Sequence, residues 1–218
     1  HNGLHAFAHA DGGYHLMGCM LSAASCNKWF MEEILGSEDY AGLQARIAPE
    51  KLGHNHVYFL PYLMGERSPI NDTSARGTFI GMTMDTSRAD MLQAVLEGVA
   101  FAIRDSFEVA RLLGIAIPRS MICGGGSKSP LWRQMIADIL GIPLDIPVTE
   151  QGPGYGGAML AMVACGVFES VRQAAEELIH VKDTVQPDPE RMALYEKRYQ
   201  QFRQIYPACR ELFKVLER

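Results

Sequence analysis

One stretch constrains this chain more than any other: Ser120-Met121-Ile122-Cys123, then Gly124-Gly125-Gly126, then Ser127 to Leu140. A short apolar run of strand character meets three consecutive glycines, and a helical apolar pattern follows at once, closed by Gly141. A strand that turns so tightly into a helix is a unit of α/β architecture. Three glycines in a row let the backbone approach a ligand without Cβ interference. The helix behind them offers free N–H groups and the positive end of its dipole, which suits phosphate. The spacing matches neither the dinucleotide fingerprint nor the P-loop, because no Gly-Lys-Ser/Thr follows. A plain strand-to-helix turn explains it equally well, so spacing alone leaves both readings open.

The rest of the chain alternates in the same way. Tyr14 to Leu21 reads as a short buried strand, and Ser22 to Ser25 open a helix carrying Trp29, Phe30, Ile34 and Leu35 that Gly36 stops. Asp39 to Ile47 is a second short helix. Val57 to Leu63, split by Pro61, is an edge strand or strand end. Gly65 to Gly77 is a polar loop long enough to suspect function, and Gly77 to Met84 is a strand. Arg88 to Leu113 is a long helix, with Met91, Leu92, Val95, Val99, Ala102 and Ile103 at helical spacing and Gly114 behind it. Leu144 to Val148 is a strand, the Gly152–Gly157 cluster precedes a small-residue helix to Cys165, and Val171 to Ile179 is another helix. Asp188 to Glu217 forms a last helix with Tyr195, Tyr199, Phe202 and Tyr206 on one side, which Pro207 should kink or break. The expected fold is α/β, a mixed sheet covered by helices.

Composition narrows the function. The 218 residues are 48% apolar, ample for a core, and the formal net charge is −5 with no basic run, which argues against a nucleic-acid binder. No apolar run approaches the ~20 residues of a membrane span, and His1-Asn2-Gly3-Leu4-His5 is no signal peptide. With no initiator Met, the chain is read as beginning inside a longer protein, although processing could give the same start. Cys19, Cys26, Cys123, Cys165 and Cys209 form no C-x-x-C, each sits in an apolar stretch, and all are read as buried free thiols of a reducing cytoplasm.

Other constellations carry less chemistry. Gly156, Gly157, Ala158 and Ala161 present small residues at a helix start and permit close packing, which reads as a contact between domains. His1, His5 and His9 sit four apart with His15 beyond, a spacing that could bind zinc on a helix, but the stretch makes no convincing helix and nothing nearby completes a site. Glu66 and Arg67 read as a loop-bracing ion pair. Asp85 and Asp138 have no partner visible in the sequence.

Together the residues resemble a family. Gly77-Thr78-Phe79-Ile80-Gly81-Met82, seven residues, then Asp90-Met91-Leu92-Gln93-Ala94-Val95-Leu96-Glu97 match a signature of the FGGY family of sugar kinases. Tyr62 to Pro69 with Asp72 and Ala75-Arg76-Gly77 looks like the preceding loop of its xylulokinase branch, and Gly124 to Asp138 resembles its adenosine motif. Gly152 to Ala161 is similar to its second connecting motif, and Leu21 to Ser25 with Trp29 also fits. The resemblance covers essentially the whole chain as the family's C-terminal, nucleotide-side domain. It implies a ribonuclease-H-like, actin-like ATPase fold, with sugar and ATP as partners and Mg²⁺ arriving with ATP. Gly124, Gly125 and Gly126 would lie against the nucleotide phosphates and ribose, Ser129 would stand at an adenine contact, and Gly156 and Gly157 would form the domain contact. The family's catalytic aspartate, its second phosphate loop and its sugar-binding domain have no counterpart here, so the isolated chain is expected to be inactive. The sugar expected is D-xylulose. Gluconate and ribulose kinases, a non-catalytic nucleotide-binding module and assembly as a homodimer stay open.

Overall fold

The computed structural model describes residues 3–149 and 152–216. The chain opens with a hairpin of β1 (His5–Ala8) and β2 (Tyr14–Met17), paired antiparallel. Next come α1 (Ala24–Trp29), a wider π-type turn over Phe30–Ile34, and α2 (Tyr40–Gln44), capped by the Asp39 carboxylate. Strands β3 (Tyr58–Leu60) and β4 (Thr78–Ile80) pair antiparallel. The long helix α3 (Arg88–Leu112) follows, then β5 (Ser120–Met121), α4 (Pro130–Leu140) and β6 (Leu144–Pro147). The chain continues through α5 (Gly152–Ala164), α6 (Val171–Leu178), β7 (Val181–Val185) and α7 (Pro189–Val215). Strands β5 and β6 are parallel and β6 and β7 antiparallel, so this sheet is mixed, as expected. Asp145 in β6 fastens it, accepting two hydrogen bonds from Arg119 at 2.8 and 2.6 Å and one from Thr184 at 2.7 Å.

Helix α3 is the axis of the core. A capping box between Ser87 and Asp90 starts it, and Leu92, Val95, Leu96, Val99 and Phe101 are buried along it. Gly98 lets it close on β3: a Cβ there would stand 2.2 Å from the Phe59 carbonyl oxygen. Three polar side chains, Asp90, Gln93 and Glu97, are buried on the same helix. Glu97 receives Arg198 of α7 at 2.7 Å, Gln93 at 2.7 Å and the Tyr195 hydroxyl at 3.2 Å. The Arg198 guanidinium also donates to the carbonyls of Asn55 and Val57 and lies 4.3 Å from the Tyr58 ring centroid.

Several expectations are revised. Tyr14–Met17 is a strand but not a buried one: it pairs only with β1, and Tyr14 is 83% exposed. Pro207 does not end the last helix, which runs on to Val215. Pro207 and Arg203, four residues before it, are both exposed, so the carbonyl that loses its N–H partner can turn to water. The end of that expected helix, at Glu217, lies outside the described residues. Strands β1 and β7 were not foreseen. Of the thiols, Cys26 is buried, Cys19 and Cys209 are partly covered, and Cys123 and Cys165, just beyond the ends of β5 and α5, are exposed; all five are free.

Two stability outcomes follow. Arg198→Met leaves the Glu97 charge buried without its partner and is expected to cost about 3–5 kcal/mol in urea denaturation. For Asp90, burial alone would raise the carboxyl; hydrogen bonds from Lys51 and from the Ser87 side chain and backbone outweigh it and hold the group at about 2. Its folded value lies below the ordinary carboxyl value of 3.8, so its contribution is present above that value and is lost as pH falls through about 2. Asp90→Asn should cost on the order of 2 kcal/mol at neutral pH and flatten the acid limb of the stability profile in that window.

Candidate functional site: the cleft beside the glycine turn

The glycine turn is built differently from the expected strand–turn–helix. Gly124 takes φ +86°, which a side chain would strain. Gly125 to Lys128 then form a single 3₁₀ turn rather than the first turn of the helix. The sealed Ser127 holds this turn by donating to the Gly124 carbonyl through Oγ at 2.7 Å and through its N–H at 3.1 Å. The chain extends at Ser129, and α4 starts only at Pro130. Proline explains the offset: it disfavours helical geometry at the residue before it and is well suited to the first helical position. The row of helix N–H groups expected directly behind the glycines is therefore interrupted. Pro130 has none, and the N–H of Trp132 is taken by the Ser129 hydroxyl at 3.1 Å.

A cleft of about 1020 Å³ opens beside this turn. Gly125, Gly126, Ser129 and Trp132 form one wall; Ala24, Asn27 and Lys28 of α1 and Tyr40, Ala41 and Gln44 of α2 form the other. Gly124 is not part of the lining. The three glycines have three different reasons to be glycine. Gly124 needs its backbone angle. Nothing stands within 4 Å of a Cβ at Gly125, so the space there is open, while at Gly126 a Cβ would meet the Trp132 ring at 2.8 Å. Trp132 is fixed from below: its indole N–H donates to the Leu96 carbonyl of α3 at 3.0 Å. The Tyr40 hydroxyl donates to Glu32 at 2.8 Å. Ser129 Oγ, already accepting from Trp132, donates to Gln44 Oε1 at 2.5 Å.

The remaining candidates fall elsewhere. Gly156 and Gly157 lie inside α5, not ahead of it, and apart from the helix's own neighbouring backbone nothing among the described residues stands within 4 Å of a Cβ at either. None of the residues of α5 is buried, although its sequence is apolar. His5, His9 and His15 belong to the β1–β2 hairpin region, not to a helix, and His1 lies outside the described residues. Among the described residues no group of three or more His, Cys, Asp or Glu side chains is placed to hold a metal, and no helix is long and apolar enough to cross a membrane. Glu66 braces its loop, but not by pairing with Arg67's guanidinium. Its Oε1 accepts the backbone N–H groups of Leu21 at 3.0 Å and Arg67 at 2.8 Å, and burial raises its carboxyl above the usual range. Asp138 ties α4 to the start of α7 through the Asp188 N–H and Arg191, both at 2.8 Å, and accepts from Gln134 of its own helix at 2.8 Å. Asp85 is exposed.

Sequence reasoning missed the far wall of the cleft. Tyr40, Ala41 and Gln44 precede the glycine turn by some eighty positions, and nothing in their local pattern marks them. The Trp132 support did have a signal, a glycine six residues before a tryptophan at a helix start, whose meaning depends on the 3₁₀ turn between them.

The chain belongs to the FGGY family of carbohydrate kinases: residues 3–165 match the model of that family's C-terminal domain. It is 38% identical over 205 residues to the xylulose kinase of Escherichia coli, covering 93% of this chain and 42% of that protein. It is 33% identical over 210 residues to the xylulose kinase of Staphylococcus epidermidis, covering 96% and 42%. Among solved structures, that of a xyloylose kinase from Brucella ovis superposes with a TM-score of 0.87 at 35% identity, covering 97% of this chain and 43% of that one. The expected fold class is borne out. The chain spans about two fifths of the length of the curated relatives it matches.

Alanine substitutions separate the roles of neighbouring glycines. Gly126→Ala pushes into the fixed Trp132 ring and should cost about 1–3 kcal/mol. Gly125→Ala meets open space and should change stability by no more than about 1 kcal/mol in either direction. Thermal unfolding of the two variants checks both, and equal losses would contradict the geometry.

Proposed function

We propose that this chain is the nucleotide-side, C-terminal domain of a two-domain ATP-dependent sugar kinase, and that the sugar is D-xylulose, phosphorylated to xylulose 5-phosphate. The observation that carries the reading is the cleft beside the glycine turn, open at Gly125, in a chain of a carbohydrate-kinase family. The choice of sugar is supported by the relatives named xylulose kinase and by the loop from Gly65 to Asp72.

In this reading the apolar faces of Ala24, Ala41, Ala45, Leu131 and Trp132 take a base ring out of water. Gly125 admits the ribose and phosphates close to the backbone, with Gly124 and Gly126 shaping the turn around it. Ser127 keeps that turn rigid, which matters because phosphoryl transfer depends chiefly on positioning and charge stabilisation. ATP, when bound, supplies the transferable phosphoryl group, with Mg²⁺ carried on its phosphates. The group that orients the attacking hydroxyl is assigned to a domain upstream of this chain, as are most contacts to the sugar. The uncovered apolar helix α5, with Gly156, Gly157 and the exposed Leu160, is assigned to the contact with that domain. The reaction is placed in the cytoplasm.

Steady-state kinetics of the full-length gene product with Mg-ATP test the reading over D-xylulose, D-ribulose, gluconate and glycerol. The expected kcat/KM for D-xylulose is at least ~10-fold above the others, ~1.4 kcal/mol of transition-state discrimination. A preference for another of the four overturns the sugar and leaves the kinase. Failure to phosphorylate any sugar overturns the kinase. The 218-residue chain alone is expected to show no turnover.

A further inference from the structure

Ser129 cannot serve a ligand in the simple way that its position implies. A hydroxyl has one hydrogen to give. Here the oxygen accepts the Trp132 N–H at the start of α4, and the hydrogen goes to Gln44 Oε1 at 2.5 Å. The one hydrogen that Ser129 could give to the cleft is engaged within the protein, and one of its two lone pairs holds the helix start.

The consequence falls on Gln44. This last residue of α2 is only 8% exposed yet borders the cleft. Its amide oxygen is held by Ser129, which is itself fixed as the cap of α4. Its amide nitrogen makes no hydrogen bond among the described residues and is not among the buried polar atoms shut off from solvent. The neighbouring lining, Ala41, Ala45, Ile47 and Leu131, is apolar and offers that N–H no side-chain acceptor. A donor on an apolar wall costs free energy if a ligand covers it without accepting its hydrogen bond, and favours a ligand that does accept it.

We propose that Gln44 reads the edge of a purine base in this cleft, donating its amide N–H to a ring nitrogen while the Ser129 hydroxyl keeps the amide turned that way. The inference rests on the nucleotide reading of the cleft. With the amide oxygen turned to Ser129, the group Gln44 turns to the cleft is its N–H donor, so it pairs with an acceptor nitrogen of the ring rather than with the exocyclic amino group. Ser129 is then a positioning residue, and the contact with the base passes to α2.

The test titrates adenosine and its 1-, 3- and 7-deaza analogues into the full-length gene product, followed by calorimetry. Wild type is compared with Gln44→Leu and Gln44→Glu, and thermal unfolding confirms that each is folded. The carboxylate of Gln44→Glu still accepts from Ser129 but has no N–H to give, so it removes the donor while keeping the support. Wild type is expected to bind one deaza analogue about 5-fold more weakly than adenosine, the scale of one neutral hydrogen bond. Both variants are expected to bind adenosine about that much more weakly, with no further loss for that analogue. Unchanged adenosine affinity in the variants, or the same discrimination persisting in them, overturns the role of Gln44 and leaves the cleft as a nucleotide site. No adenosine binding by wild type overturns the reading of the cleft and this inference with it.

Discussion

The ion pair between Glu97 and Arg198 sets the frame on which the cleft depends. Two buried opposite charges are stable only if their remaining hydrogen-bonding capacity is met. Gln93 and Tyr195 meet it for Glu97, and the carbonyls of Asn55 and Val57 each take a guanidinium hydrogen, while Nε of Arg198 has no partner among the described residues. The arrangement locks three elements at one point: α3, α7 and the segment entering β3. One residue before Glu97 the same helix presents the Leu96 carbonyl, and Trp132 hangs from it. Trp132 fills the space a Cβ at Gly126 would need, its N–H is capped by Ser129, and Ser129 reaches across to Gln44. Each link is short and directional, so the wall at the glycine turn is referred to one helix in the core, and Ser129 ties the opposite wall to it.

Much of this frame was legible from local pattern, because its elements are strongly marked. The periodicity of α3 and its stop at Gly114 gave the helix within a residue at its C-terminal end, and Asp39 and Gly36 marked the ends of two short elements correctly. What pattern could not supply was the polar content of the core. Glu97 and Gln93 have ordinary surface chemistry, and only their partners on α7 and in the segment after α2 make their burial tolerable. The exposure of β1–β2 was equally invisible, since Tyr14-His15-Leu16-Met17 reads as apolar whether or not something packs on it. Strand β7 was missed because Val-Lys-Asp-Thr-Val is polar at its centre, and there the Thr184 hydroxyl donates to Asp145 and the Asp183 carboxylate accepts the N–H of Thr184.

The candidate site divides along the same line. The glycine turn announced itself, and three of the four residues named there, Gly125, Gly126 and Ser129, line the cleft. The opposing wall comes from α1 and α2, brought in by tertiary packing, and its residues are small or amphipathic types that occur anywhere. Even within the turn, sequence treated the glycines as one feature. The structure separates a backbone angle at Gly124, an open space at Gly125 and an aromatic neighbour at Gly126. Only the second of these leaves room for something that is not protein.

The same distinction bears on how a residue's role can be carried from one protein to another. The serine of Ser129-Pro130-Leu131-Trp132 has two claims on its hydroxyl before any ligand arrives: the orphan N–H at the helix start and any acceptor across the cleft. Proline at the first helical position sharpens the first claim, because it fixes where the helix begins and so which residue must cap it. In this chain the cap is made to Trp132, and Gln44 supplies the second partner. A hydroxyl whose one hydrogen is given across the cleft and whose oxygen caps a helix is held in one orientation, and it acts on its surroundings by orienting the group it holds. The chemistry a ligand meets at that corner of the cleft is therefore that of an amide nitrogen on α2, set in place by a serine on the other wall.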